Sequence, residues 1–171
     1  MFTPSILLFR GTGVIDTAIR FETRSEFTHA AIRVGPFSVV ESYPGVGVRE
    51  RTITQEELNT CAEFAVPGCD WTKALAFARG EIGCGYDWIN VSRFMTRLRG
   101  RQSDRRWFCS EFVFAAVAAG GMILLANIEA WQVSPRDLSL SPIYRLFAPA
   151  TARQKIYTPR SKKSFDKPVA T

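Results

Sequence analysis

The sequence predicts an α+β fold in which a small antiparallel β-sheet packs against helices. Two runs rich in Val, Ile and Phe, residues 28–34 and 37–43, are separated by Gly35-Pro36, which is typical of adjacent antiparallel strands. Later segments instead place apolar residues at helical spacing. The chain has 171 residues and is 46% hydrophobic and 12% aromatic, which is the composition of one packed domain. We assign that domain to residues 1–150.

The N-terminal part predicts a strand, a turn, the hairpin and a short helix. Ile6-Leu7-Leu8-Phe9 is an apolar run typical of a buried strand, and it ends at Arg10-Gly11-Thr12-Gly13. These glycines lack the third glycine of a dinucleotide fingerprint and the Gly-Lys-Ser/Thr of a phosphate loop, so they predict a tight turn. After the hairpin, Thr54-Gln55-Glu56-Glu57 has the form of a capping box and predicts a short helix to about Cys61.

Helices dominate the second half of the chain. Apolar residues recur at helical spacing over residues 71–82, and Gly83-Cys84-Gly85 ends that run. Residues 86–98 predict a second helix with a less regular apolar face. Residues 109–119 are strongly helical in composition, and Gly120-Gly121 is a typical C-terminal stop signal.

The predicted domain closes with a helical turn and a strand. Ser134-Pro135-Arg136-Asp137 combines an N-cap residue, a proline at the first helical position and an acid in the first turn. Residues 143–147 can return as a strand. Residues 151–171 contain few apolar side chains and a cluster of Lys and Arg, so we expect a basic, mobile C-terminal tail.

The net charge of +6 is concentrated in two segments. Residues 93–106, which begin with Arg93 and end with Arg106, and the tail each carry six basic side chains and one Asp, so the remainder is net −4. Both segments could contact an anionic membrane surface, nucleic acid or an acidic partner, or they could be solvated charge. The aromatic residues typical of nucleic-acid readers are absent from residues 97–106.

No segment has the pattern of a secretion signal or of a membrane span. Residues 1–5 carry no Lys or Arg, and Arg10 ends the short apolar run that follows. The longest stretch without a polar side chain, residues 112–126, has 15 residues, fewer than the roughly 18–20 that a spanning helix needs. We therefore expect no transmembrane segment and a cytoplasmic location. The oligomeric state is left open.

The single histidine and a glutamate on the neighbouring strand are candidates for chemistry, because an acid in an apolar strand needs a partner. A three-residue loop, residues 34–36, would pair His29 directly with Glu41 on one sheet face. A two-residue loop of Gly35-Pro36 would pair Glu41 with Ala30 and turn its side chain to the other face. Contact between His29 and Glu41 therefore predicts an odd-length loop or a bulge.

Cys109 is the candidate nucleophile because it begins a predicted helix. The open N–H groups and the dipole at that end favour a thiolate and lower the thiol pKa. With His29 as imidazolium partner and Glu41 fixing the ring, Cys109 would form a nucleophilic triad. The N–H groups of the first turn, which includes Ser110, could then stabilise an oxyanion. The structural alternatives are a non-catalytic histidine and a buried core cysteine.

Five motifs resemble, in their order along the chain, the YiiX-like branch of the NlpC superfamily over about residues 11–138. They are Thr-His-Ala-Ala-Ile, Val-Val-Glu-Ser, Tyr-Asp after a glycine, Phe-Cys-Ser-Glu-Phe-Val and Ser-Pro-Arg-Asp-Leu. The resemblance implies a circularly permuted papain-like (NlpC-like) fold, with the nucleophile helix packed against the sheet. It implies Cys109 as nucleophile, His29 as base and Glu41 as third member, and Tyr86 as a site-lining residue that helps form the oxyanion hole.

These observations predict a thiol hydrolase of the amidase or peptidase class that forms an acyl-enzyme on Cys109. Its substrate would be a peptide, an amide or an acyl lipid. One alternative is an acyltransferase, or a lipid-ester or thioester hydrolase, of the lecithin:retinol acyltransferase-like type. Another is a non-catalytic docking or assembly protein that uses its Arg- and Lys-rich segments.

The sequence predicts no cofactor and no metal ion. Cys61 and Cys69 lie eight residues apart, with no histidine nearby and no Cys-x-x-Cys spacing, so a structural zinc site is not expected. Cys84 lies close to the predicted site. It is either a packing residue or a second thiol that can pair with Cys109 under oxidation.

Overall fold

The computed structural model describes residues 2–11, 25–88, 106–141 and 144–147, the last as a strand. The predicted tail, the domain boundary at residue 150, nearly all of the Arg-rich segment and most of the helix predicted at residues 86–98 lie outside these residues. The described elements in chain order are β1 Ser5–Phe9, β2 His29–Gly35, β3 Ser38–Tyr43, β4 Gly47–Thr52, α1 Gln55–Thr60, β5 Ala62–Ala65, α2 Trp71–Gly80, β6 Gly85–Tyr86, β7 Arg106–Trp107, α3 Cys109–Ala119, a 3₁₀ turn Ala130–Gln132, α4 Pro135–Leu140 and β8 Tyr144–Phe147.

The predicted α+β fold is confirmed. Six strands form one antiparallel sheet in the order β4-β3-β2-β1-β5-β8, and β6 and β7 form a separate parallel pair. Strand β1 lies inside the sheet between β2 and β5, and its residues Ile6, Leu7 and Leu8 are fully buried. The sheet is therefore covered on both faces at its centre.

The two faces of the sheet contact different helices. Alternate residues such as Ile32 and Val40 pack in the main core with α3, whose Phe112 is fully buried. Truncating such a phenylalanine to alanine costs about 3–5 kcal/mol. The opposite face carries a smaller cluster with Ala31 and Val39 that packs beside α1. This second face also carries the odd-numbered residues His29 and Glu41.

Three helix starts are capped as the sequence patterns predict or allow. Thr54 and Glu57 form the predicted capping box, Asp70 accepts hydrogen bonds from two N–H groups at the start of α2, and Ser134 caps α4 with Pro135 in its first turn. Such caps each contribute about 0.5–2 kcal/mol.

The helix predicted at residue 86 does not begin there. Tyr86 lies in β6, which pairs in parallel with Trp107, and the carbonyl of the preceding Cys84 accepts the N–H of Val48. Pairing with these distant segments outweighs the weak helical pattern of the local sequence.

The β2–β3 hairpin contains a bulge. Gly35 pairs with Ser38 across a two-residue turn, whereas Arg33 pairs with Val39, so the register shifts at Val34. Pro36 takes the second position of the turn, where its fixed φ is favoured. The turn, residues 36–37, thus lies further along the chain than either predicted loop, and the bulge keeps His29 and Glu41 on the same face of the sheet.

The bulge brings His29 and Glu41 to the same face, as predicted, but the predicted direct pairing was wrong. Continuing the observed register places Glu41 opposite Ala31 and His29 opposite Tyr43. His29 and Glu41 are therefore diagonal neighbours, a separation that long side chains span. No helix in the described part of the chain has both the length and the apolar composition needed to cross a membrane.

Candidate active site

The imidazole of His29 is hydrogen-bonded to a buried carboxylate. His29 is the first residue of β2, and its Nε2 lies 2.9 Å from Oε2 of Glu41 in β3. The Glu41 side chain is fully buried and that of His29 is 15% exposed. Rings of Phe9 and Tyr43 lie 5.6 and 5.7 Å from the imidazole, which limits its rotation.

Two arginines of β4 complete the shell of Glu41. Its Oε1 accepts hydrogen bonds from Nε and Nη2 of Arg49 at 3.1 and 2.9 Å, and from Nε of Arg51 at 2.8 Å. Burial opposes ionisation, but the hydrogen bonds and charges of His29 and Arg51 lower the pKa of Glu41 to about 2. Glu41 is therefore a carboxylate throughout the neutral range.

Sequence reasoning missed these arginines, although a signal was present. Arg49 and Arg51 alternate on β4, and Glu41 pairs directly with Arg49. Two cations at alternate positions of a strand point to one face and need an anion there.

The thiol of Cys109 is the second partner of His29. Burial lowers the pKa of His29, but hydrogen bonds to the side chains of Cys109 and Glu41 outweigh burial and raise it to about 10. Because Nε2 faces Glu41, Nδ1 is the ring nitrogen left for the thiol. The structure thus brings Cys109, His29 and Glu41 together in the order thiol, imidazole, carboxylate.

Cys109 begins α3 at a helix start that no side chain caps. The N-cap residue is Phe108, which offers no acceptor, so the N–H groups of the first turn are not satisfied by a side-chain cap. Cys109 is 2% exposed and packs with Phe108 and Tyr86. Tyr86 therefore packs against Cys109, and its role in an oxyanion hole stays a prediction.

Two other predicted residues have partners away from the nucleophile. The hydroxyl of Ser110 donates to the carbonyl of Val133 at 2.7 Å, so only its backbone N–H remains for an oxyanion. The thiol of Cys84 donates to Oε2 of Glu81 at 3.2 Å, and none of the four cysteines forms a disulfide.

Glu111, in the first turn of α3, is a second fully buried glutamate that sequence reasoning did not single out as unusual. Its Oε2 accepts the N–H of Phe108 at 3.3 Å, and among the described residues its Oε1 has no hydrogen-bond partner. Burial raises the pKa of Glu111 to about 7, and the charge of Asp87 adds to this rise.

Comparison with known proteins relates this chain to solved structures. No protein-family model and no curated protein matches the sequence. The crystal structure of the metalloprotein yiiX from Escherichia coli O157:H7 superposes with a TM-score of 0.64 at 18% identity, over 85% of this chain and 96% of yiiX. The chain has the yiiX fold. At this identity the likeness to yiiX establishes the fold alone.

The description of yiiX as a metalloprotein raises the question of a metal ion here. Within the described ranges, no three side chains from His, Cys, Asp and Glu form a group suited to a metal ion. Glu41 accepts donors from His29, Arg49 and Arg51, so its oxygens are already occupied by cationic groups. The residues at this site of the yiiX fold therefore do not fit a metal centre.

Proposed function

We propose that the protein is a thiol-dependent hydrolase of the amidase or peptidase class. The observation that carries the proposal is the hydrogen bond between the one histidine of the chain and a buried carboxylate, together with the raised pKa of that histidine, to which the thiol at the start of α3 contributes. A nucleophile, a base and a group that orients the base are the parts required for covalent catalysis of acyl transfer.

In the first half-reaction, His29 is already an imidazolium at neutral pH, because its pKa is raised to about 10, and the Cys109 sulfur attacks the substrate carbonyl carbon as a thiolate paired with it. The carbonyl oxygen becomes an oxyanion, and the first-turn N–H groups of α3 at Cys109 and Ser110 can donate to it. His29 donates its proton to the leaving amine as the carbon–nitrogen bond breaks. A thioester on Cys109 remains.

In the second half-reaction, His29 removes a proton from a water molecule that attacks the thioester carbon. The carbon–sulfur bond breaks, the sulfur leaves as a thiolate beside His29, which keeps the proton taken from water, and the carboxylic acid leaves. Glu41 orients the ring and stabilises its cationic form, and its low pKa means that it does not store the proton itself.

The reactivity of the cysteines tests the nucleophile. We expect iodoacetamide at pH 6 to label Cys109 at least ~10-fold faster than Cys61, whose pKa burial raises to about 11. His29→Ala should slow labelling of Cys109 and leave Cys61 unchanged, as read by peptide mass spectrometry. Equal labelling of the two thiols, or no effect of His29→Ala, contradicts the proposal.

Turnover tests the acyl-enzyme. With 4-nitrophenyl acetate we expect an acetyl thioester on Cys109 and release of acetate. Cys109→Ser should abolish the thioester, whereas the matched control Cys84→Ser should keep it, because the Cys84 thiol bonds to Glu81. Transfer of the acetyl group to an added amine in preference to water would indicate an acyltransferase with the same nucleophile.

A further inference from the structure

More positive charge contacts Glu41 than the orientation of one histidine requires. Its Oε2 is used by His29, and its Oε1 accepts from both Arg49 and Arg51. One guanidinium would supply the hydrogen bonds and the charge that a buried carboxylate needs. The second arginine therefore calls for another explanation.

The two arginines differ in how many of their guanidinium N–H groups donate hydrogen bonds. Arg51 also bonds to Glu57 through Nη2 at 2.9 Å and to the carbonyl of Thr52 through Nη1 at 3.1 Å. Arg49 is one-third exposed, and within the described ranges its hydrogen bonds all go to Glu41 and leave Nη1 without an acceptor. Arg49 thus presents unused donors to solvent.

Tyr43 fixes the position of this open guanidinium beside the histidine. The Arg49 Cζ lies 4.5 Å from the centroid of the Tyr43 ring, and the edge of the same ring packs on His29 at 5.7 Å. Arg49 and His29 therefore share two neighbours, Tyr43 and Glu41. The guanidinium is held in place before any ligand arrives, which reduces the entropy cost of binding.

We propose that Arg49, supported by Tyr43, is a binding residue for a carboxylate of the substrate next to the bond that is cleaved. The proposal rests on the proposed function and narrows its substrate to amides or peptides with an acidic group near the scissile carbonyl. A guanidinium edge matches the planar, singly charged carboxylate in geometry and charge.

Iodoacetate and iodoacetamide test this subsite because they alkylate the same thiol and differ in one carboxylate. We expect the ratio of their rates at Cys109, iodoacetate over iodoacetamide, to fall at least ~5-fold in Arg49→Gln. In the matched control Arg51→Gln, which removes the same charge from the same carboxylate, the ratio should fall less than ~2-fold. If the ratio fell equally in both variants, the effect would come from the loss of a nearby positive charge rather than from binding by Arg49, and the proposal would be overturned.

A binding measurement separates the subsite from the chemistry. The chain has one histidine, so the Cε1–H group of its ring gives a single NMR signal. Titration with glutarate should shift this signal saturably in the wild type and in Arg51→Gln, and not in Arg49→Gln; neutral glutaramide should shift none of them. A wild type that does not respond to glutarate overturns the subsite, whereas a normal response with an unreactive Cys109 refutes only the hydrolase.

Discussion

Glu41, in β3, and Glu111, in the first turn of α3, are both fully buried glutamates, yet their environments are opposite. Glu41 accepts hydrogen bonds from His29, Arg49 and Arg51, and its pKa is lowered to about 2. Glu111 accepts one backbone N–H, and its pKa is raised to about 7. The comparison teaches that the partners of a buried carboxyl group, rather than burial itself, decide its charge.

The difference also gives the two glutamates different local effects. Glu41 is a permanent anion that can orient a cationic imidazole across the neutral range. Glu111 holds the N–H of Phe108, the residue before Cys109, and changes charge near neutral pH.

The largest effect is expected from Glu41→Gln. The substitution leaves the charges of Arg49, Arg51 and His29 without their anion, and breaking a buried ion pair in this way costs about 3–5 kcal/mol. Urea unfolding at pH 7 measures the loss. Glu111→Gln is the matched control and should cost less than about 1 kcal/mol at that pH, because a neutral side chain suits its site. Similar losses in the two variants would remove the contrast.

The second effect is the pH dependence that Glu111 gives to folding. Its pKa rises from 4.5 in the unfolded chain to about 7 in the fold, so stability is full below pH 4.5 and is lost as pH rises through 7. The loss is up to about 3 kcal/mol, from ~1.4 kcal/mol for each pH unit between the two pKa values. The unfolding free energy of Glu111→Gln minus that of the wild type should therefore increase between pH 5 and pH 8. A constant difference would refute the raised pKa.

The third effect concerns the charge of His29. Its pKa of about 10 lies above the ordinary 6.5, so its ion-pair stabilisation is full below pH 6.5 and is lost as pH rises through 10. The single histidine NMR signal should therefore not titrate between pH 5 and pH 8. Glu41→Gln should lower the pKa by at least about 1 unit, whereas Glu111→Gln should not move it. A wild-type midpoint near 6.5 would contradict the triad geometry.

The smallest effect tests whether the raised pKa of Glu111 is caused by its burial or by its position in the helix. Glu57 occupies the same place in α1 that Glu111 occupies in α3, but it is 38% exposed and pairs with Arg51. Its partial burial raises its pKa, but the hydrogen bonds from Arg51 and Thr54 and the charge of Arg51 together outweigh burial and lower it. Glu57→Gln should cost under about 1 kcal/mol in urea unfolding at pH 7. A Glu57→Gln variant that reproduced the pH profile of Glu111→Gln would make position in the helix, rather than burial, the cause.

Local patterns were sufficient to predict much of the fold. The capping box at Thr54, the helix from Cys109 and the apolar run before Arg10 each depend on residues close together in sequence. Whether His29 and Glu41 share a face of the sheet depends only on whether the hairpin has an odd-length loop or a bulge. The catalytic roles of these residues stay predictions.

Other features depend on contacts between distant segments and could not be predicted in this way. The predicted direct pairing of His29 with Glu41 was wrong because the turn is formed by residues 36–37 and a β-bulge lies at Val34. Tyr86 forms a strand only because residues 106–107 lie beside it. The Glu111 oxygen that has no hydrogen-bond partner in the described part of the chain follows from packing around α3, which no short window of sequence contains.

The bulge at Val34 has a consequence for the search for related proteins. A strand exposes alternate residues to each side, so removal of one residue between Arg33 and Ser38 would exchange the sides of everything that follows in β3. Glu41 would then face α3, and Ser42 would face the histidine. Homologues with the same chemistry can therefore vary the length of this hairpin by two residues but not by one, unless a second irregularity compensates.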